Sequence, residues 1–279
     1  MSRIEKAIEK ATLLRKKGPK AENEPPAPPA AAETHVSREV PFRTQEAPPP
    51  DMEPMTPENP LLVINHEPGS GAAEEYRKLK SIVIELTRQS AFRNTLLVTS
   101  PLPAAGKTLT SLNLALTMAG EYDHTVLLVD ADLRKPSVHE YFGISPEKGL
   151  AQCLTEGYPL EKALIRTGIG KLVLLPAGGI VDDPAELLAS NRMRSLVVEL
   201  KSRYPDRYVI FDTTPVLPFA EASILGHLMD GILFVVRERK TRPSELKEAL
   251  EMVESDNLLG LVYNDTDASQ KLGYYGYQY

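Results

Sequence analysis

The sequence predicts an α/β protein of the P-loop NTPase type, with a mostly parallel sheet covered by helices on both faces. Three observations predict it. Short, uniformly apolar runs alternate with helical patterns, one run feeds directly into a Gly-Lys-Thr turn, and two later runs end in aspartate. A strand apolar at every position is buried on both faces, as in a parallel sheet between helical layers.

Helical periodicity covers Ala72 to Gln89, and Thr95 to Thr99 reads as the first strand. A helix over Lys107 to Ala119 and a strand over Thr125 to Val129 follow. Gly149 to Thr155 and Leu160 to Arg166 have helical patterns, and Leu172 to Leu175 reads as a buried strand. Helices are expected over Pro184 to Ser190 and Met193 to Tyr204, then a strand over Tyr208 to Phe211. The remainder reads as a helix over Ala220 to His227, a strand over Gly231 to Val236, a helix over Ser244 to Glu254 and a last strand over Leu258 to Tyr263. Arbitration rests on period and on length, since strands run short and helices longer.

The globular pattern starts near residue 70. Thirteen of the 24 prolines fall between Pro19 and Pro68, in a stretch poor in large apolar residues. Such a segment cannot bury enough surface to offset its ordering entropy, so residues 18–69 are expected to be a disordered, extended linker. A proline-rich docking ligand is the alternative, but nothing singles out a docking motif. Residues 1–17 read as a basic amphipathic helix, with Ile4, Ala7, Ile8, Ala11 and Leu14 on one face and Arg3, Lys6, Lys10, Arg15, Lys16 and Lys17 elsewhere. It could lie on an anionic membrane or dock in a groove, or it could fray in isolation at this length.

Composition excludes several classes. Lys and Arg number 32 against 38 Asp and Glu, a net charge of -6, which argues against a nucleic-acid coat. The single cysteine, Cys153, rules out an intramolecular disulfide and a Cys-based zinc site. No apolar stretch reaches the roughly 18–20 residues of a membrane span. Met1 to Lys6 lacks the apolar core of a signal peptide. A cytoplasmic location is expected.

The chemistry is expected where the first strand enters Ser100-Pro101-Leu102-Pro103-Ala104-Ala105-Gly106-Lys107-Thr108 and a helix follows. The loop from Pro103 to Leu109 would cradle nucleotide phosphates through backbone N–H groups and the helix N-terminus. Lys107 would reach the terminal phosphates and Thr108 would offer a hydroxyl to Mg2+. The second strand ends in Val129-Asp130-Ala131-Asp132-Leu133-Arg134 and a later one in Phe211-Asp212-Thr213-Thr214-Pro215. In a parallel sheet these ends open on the same edge as the phosphate loop, where carboxylates can hold Mg2+ directly or through water.

The phosphate loop, the Asp130-Ala131-Asp132 motif and the Asp212 strand, in this order, resemble the bacterial tyrosine autokinases (BY-kinases) of capsule and exopolysaccharide loci. The resemblance spans about Glu74 to the C-terminus. The Met1-to-Ala7 pattern is similar to the subgroup associated with PEP-CTERM/exosortase polysaccharide loci. The ParA/MinD ATPases share the three motifs, but they carry a signature Lys five positions before the Lys of Gly-Lys-Thr, where this chain has Leu102. BY-kinases end in a tyrosine cluster, and residues 268–279 here are a tail carrying Tyr274, Tyr275, Tyr277 and Tyr279. Glu74, Arg77 and Lys80 resemble the Glu-x-x-Arg-x-x-Arg motif used for ring-like self-assembly, with Lys80 in place of the last Arg.

The resemblance implies an ATP- and Mg2+-dependent kinase domain over 70–267. Lys107 would stabilise phosphate charge, while Thr108, Asp132 and Asp212 would hold Mg2+. Asp130 would orient or deprotonate the acceptor tyrosine, and Asn264 would contact adenine. It implies phosphorylation of the tail tyrosines in a homo-oligomeric ring, a membrane polysaccharide co-polymerase as activator and recruiter to the inner face of the plasma membrane, and a tyrosine phosphatase as counterpart. No nucleic-acid partner is implied. Two departures stand out. Ala104 occupies a usual Gly position, costing on the order of 1 kcal/mol if φ must be positive, and Thr214 replaces a common Pro. The rival readings are a ParA/MinD-like ATPase switch and a non-catalytic nucleotide-binding regulator of polysaccharide export.

Overall fold

A computed structural model of the chain describes residues 53–88, 92–121, 124–203, 207–253 and 255–266. The expected N-terminal helix at 1–17, the linker up to residue 52 and the tyrosine tail at 268–279 lie outside the described residues.

In chain order the elements are α1 (Val63–His66), α2 (Gly71–Thr87), β1 (Thr95–Thr99), α3 (Lys107–Ala119) and β2 (Thr125–Asp130). Next come α4 (Val138–Tyr141), α5 (Leu150–Thr155), α6 (Leu160–Ala163), β3 (Ile165–Arg166) and β4 (Leu172–Leu175). The remainder is α7 (Pro184–Ala189), α8 (Asn191–Arg203), β5 (Arg207–Asp212), α9 (Glu221–Gly226), β6 (Gly231–Arg237), α10 (Pro243–Met252) and β7 (Leu258–Asn264). The sheet order is β3-β4-β2-β5-β1-β6-β7, and every pairing except β3–β4 is parallel.

Period-2 alternation splits the strand side chains between two cores. Leu97, Leu127, Val129, Val209, Phe211, Ile232 and Phe234 enter one, and Leu96, Val98, Val126, Leu128, Tyr208, Ile210, Leu233 and Val235 enter the other. Both faces of β1, β2 and β5 are therefore buried, as their uniform apolarity requires. This fixes the carboxyl ends of β1, β2 and β5 as neighbours, with Asp130 paired in register with Asp212.

Two expectations need correction. The helix expected over Leu160 to Arg166 stops at Ala163, and Ile165–Arg166 forms an antiparallel edge strand instead. Ile165 leaves the helical path to pair with Leu174 and pack on the sheet's apolar surface. The linker also ends earlier than residue 69. Leu62 is wholly buried, the Met55 amide donates to the Thr167 carbonyl at 2.7 Å, and Asn113 Nδ2 donates to the Leu61 carbonyl at 3.0 Å. The short Leu61-Leu62-Val63-Ile64 run supplies enough apolar surface to dock despite the flanking prolines. Among the described residues no helix is long and apolar enough to cross a membrane.

Candidate active site

The site lies at the carboxyl ends of β1, β2 and β5, where open parallel sheets place their ligands. β1 passes into a loop held at its base by β5's continuation: the Val216 amide donates to the Ser100 carbonyl at 2.8 Å and the Leu217 amide to the Pro101 carbonyl at 3.2 Å. The loop turns through two left-handed residues, Ala104 at φ 60 and Gly106 at φ 93. Pro103 and Ala104 are exposed, whereas Ala105 and Thr108 are buried. Gly106 is the N-cap of α3, so the unpaired amides of the first helical turn and the positive end of the helix dipole face the loop. The Leu109 side chain instead packs against a core. This concave run of amides, opening on an ammonium and a hydroxyl, fits a nucleotide's phosphates.

Lys107 and Thr108, the first two residues of α3, point back at the carboxylates. Lys107 Nζ lies 2.9 Å from Asp132 Oδ2 and 3.5 Å from Thr108 Oγ1. Thr108 Oγ1 donates to Asp212 Oδ2 at 2.6 Å, and Ser111 Oγ donates to Asp212 Oδ1 at 3.2 Å. Sequence reasoning missed Ser111. Its signal was the spacing Thr108 to Ser111, which puts both hydroxyls on one helix face.

Asp130 is also wholly buried, but its contacts differ. Oδ1 accepts from the Asp132 amide at 3.3 Å, and Oδ2 accepts from the Ser137 and Val138 amides, both at 3.1 Å. It therefore pins the turn that presents Asp132 and starts α4. Reaching an acceptor hydroxyl would require that turn to shift.

The electrostatics follow from burial. Burial pushes the Asp130 carboxyl up to about 7, with the charges of Asp212 and Asp132 adding and the Val138 and Ser137 amides opposing. Asp212 is raised by its complete burial, against the pull of Lys107 and its hydroxyl donors. Burial also works against the charge on Lys107, but Asp212, Asp132 and Asp130 outweigh it and hold the ammonium above its ordinary value. Among the described residues no three His, Cys, Asp or Glu side chains converge to hold a metal. A cation here would draw on Thr108, Asp132, Asp212 and the phosphate oxygens together, the usual manner of Mg2+.

The remaining expected residues are dispersed. Asn264, at the end of β7, donates from Nδ2 to the Ala105 carbonyl at 2.9 Å, so it braces the phosphate loop. Glu74 and Arg77 pair with each other at 3.0 Å on α2, and Arg77 also donates to the Pro68 carbonyl at 2.5 Å. Lys80 is paired with Glu121 of the same chain at 2.5 Å. Arg134 and Glu221 form a bridge not anticipated from sequence. The Arg134 guanidinium stacks 4.6 Å over the Phe219 ring and pairs at 2.7 Å with the wholly buried Glu221, tying the turn after β2 to the start of α9. Thr214 Oγ1 donates to the same carboxylate at 3.4 Å, which gives Thr214 a role a proline could not fill.

The AAA domain family matches residues 104–255. The tyrosine-protein kinase YwqD of Bacillus subtilis is 38% identical over 75% of this chain and 89% of its own length. The tyrosine-protein kinase Etk of Escherichia coli is 31% identical over 74% of this chain, which covers 28% of the longer Etk chain. Among solved structures, the kinase domain of Escherichia coli Etk superposes with a TM-score of 0.68 at 29% identity, over 80% of this chain and 86% of that one. The septum site-determining protein MinD from Pyrococcus horikoshii, in complex with Mg-ADP, superposes with a TM-score of 0.51 at 20% identity over 61% of this chain and 68% of its own, a likeness of fold.

Proposed function

The chain belongs to the bacterial tyrosine-protein kinases, and from that membership we propose that it transfers the γ-phosphoryl group of ATP to Tyr274, Tyr275, Tyr277 and Tyr279 of its own tail. The observation that carries the reading is the convergence of Lys107, Thr108, Asp132 and Asp212 at the edge where the last strand also ends. Asn264 touches the phosphate loop, and Tyr274 follows ten residues later. Ten extended residues reach roughly 33 Å, enough to leave one site and approach a neighbour's.

In this proposal the amides from Ala104 to Leu109 cradle the phosphates. Lys107 exchanges its Asp132 partner for phosphate oxygens and neutralises charge that grows toward the transition state. Thr108, Asp132 and Asp212 would hold Mg2+, which would supply further charge neutralisation at the phosphates. Asp130 accepts the tyrosine proton once the 131–138 turn shifts. Its carboxyl, raised to about 7, is suited to proton transfer near neutral pH. Asn264 lies beside the loop, where it would also meet the adenine.

The proposal extends to regulation. A ring of subunits using the α2 face of Glu74, Arg77 and Lys80 would present each tail to its neighbour. A membrane polysaccharide co-polymerase would recruit the chain to the inner membrane face and activate it, and a tyrosine phosphatase would reset the tail. The system served would be exopolysaccharide polymerisation and export, of the PEP-CTERM/exosortase-associated kind.

Incubation with ATP–Mg2+ followed by phosphotyrosine mass spectrometry tests the assignment. Lys107→Met is expected to lower tail phosphorylation at least a hundredfold, the scale of losing one charge-stabilising group. Unchanged phosphotyrosine in that variant would sink it.

A further inference from the structure

The phosphate loop of this chain contains a strained residue, and the structure shows what holds it. Ala104 adopts φ 60, a left-handed conformation that an L-residue with a Cβ adopts at a cost. Such strain persists only where surrounding contacts over-determine it. The contacts come from β6, the strand paired with β1, and from β7 beside it. Arg237, the last residue of β6, sends Nη1 to the Ala104 carbonyl at 3.2 Å and Nε to Asp265 Oδ2 at 2.8 Å. One residue along, Asn264 Nδ2 donates to the Ala105 carbonyl at 2.9 Å. A Cβ on Gly106 would collide with that same Asn264 amide, so glycine is needed there for space as well as for φ 93. Arg237 and Asn264 are paired in register across β6 and β7, so the two donors act from one rigid edge.

We propose that Arg237 is a positioning residue for nucleotide binding. Anchored by Asp265, its guanidinium fork grips the Ala104 carbonyl and, with Asn264, keeps the phosphate loop in its strained, phosphate-ready shape. The inference rests on the nucleotide-binding reading above. Its physical requirement is a fork with two donors held at a fixed angle, which a lysine ammonium does not reproduce. The clamp also lies at the root of the tail, since Asp265 immediately follows the last strand.

Arg237→Gln, Arg237→Lys, Ala104→Gly and the double variant Ala104→Gly/Arg237→Gln are compared by calorimetry with a non-hydrolysable ATP analogue and Mg2+. Arg237→Gln is expected to weaken affinity about fivefold, and Arg237→Lys nearly as much, because the fork rather than the charge is at work. In the Ala104→Gly background, where the left-handed turn costs little, Arg237→Gln is expected to lose less than about twofold. Full affinity in Arg237→Lys would reduce Arg237 to a distant charge and overturn the clamp, as would equal losses in both backgrounds. Hydrogen exchange in the nucleotide-free protein supplies a second reading. Residues 101–110 are expected to exchange several-fold faster in Arg237→Gln than in the wild type, with the rest of the sheet unchanged. Unaltered exchange there would overturn the clamp, whereas a wild type that binds no nucleotide would overturn the functional reading instead.

Discussion

Two sets of aspartates stand at opposite ends of the same sheet and carry opposite electrostatics. At the amino end of β1 and β6, Asp230 Oδ2 accepts from the Asn94 and Thr95 amides at 3.2 and 3.1 Å and from Thr95 Oγ1 at 2.8 Å, while Oδ1 meets Lys201 at 2.7 Å. Burial alone would raise its pKa, but Lys201 and the Thr95 donors prevail and the carboxyl titrates below its ordinary value. At the carboxyl end, Asp130, Asp132 and Asp212 gather around the ammonium of Lys107, and Asp130 and Asp212 are both raised, chiefly by complete burial. One edge surrounds a single carboxylate with donors and gains stability. The other crowds carboxylates that repel one another around a single ammonium.

The largest test of that contrast is pH. Asp130 holds its proton up to about pH 7 in the folded chain, whereas an unfolded carboxyl loses it near 4. Between those values the folded state binds more protons, so Asp130 makes the nucleotide-free protein less stable as pH rises, by on the order of 4 kcal/mol across the window. Denaturant titrations at pH 5 and 7.5 are expected to show that Asp130→Asn reduces this dependence, the raised Asp212 carboxyl keeping the remainder. Parallel wild-type and variant curves would break the comparison. The same group is expected to give kcat/KM an ascending limb near pH 7 that vanishes in Asp130→Asn. A limb that survives would leave Asp130 only the task of pinning the turn.

A smaller effect of opposite sign is expected at the amino edge. Asp230→Asn removes the ion pair and disrupts donors to β1, costing about 2 kcal/mol at pH 7. Because the folded pKa is depressed, the wild-type advantage is present above about pH 4 and fades as pH falls through the folded value. Nucleotide affinity should stay unchanged, and a large affinity loss in Asp230→Asn would show that the two edges are not separable.

The sequence announces the second set more clearly than the first. Asp130, Asp132 and Asp212 end uniformly apolar runs, so period and position alone place them on one edge. The strand bounds were legible for the same reason: β1 and β4 match their apolar runs residue for residue. Asp230 gives no such signal, because its partners Thr95 and Lys201 are 135 and 29 residues away. The Arg134–Glu221 bridge and the Arg237–Ala104 contact were hidden likewise, since each joins segments far apart in sequence that only the strand order brings together. The strain at Ala104 was legible as a conditional cost, and the structure supplies the positive φ that makes it real.

Transfer of phosphate from this site to the tyrosine tail of a neighbouring subunit is tested by mixing two variants. One is full-length Lys107→Met, which keeps the tail and loses the phosphate-binding ammonium. The other is an otherwise intact enzyme ending after Leu272, which keeps the site and lacks Tyr274, Tyr275, Tyr277 and Tyr279. After incubation with ATP–Mg2+ and mass spectrometry of the tail peptide, phosphate is expected on the Lys107→Met tail. An unmodified tail in the mixture, beside a wild type that modifies itself, would contradict transfer between subunits.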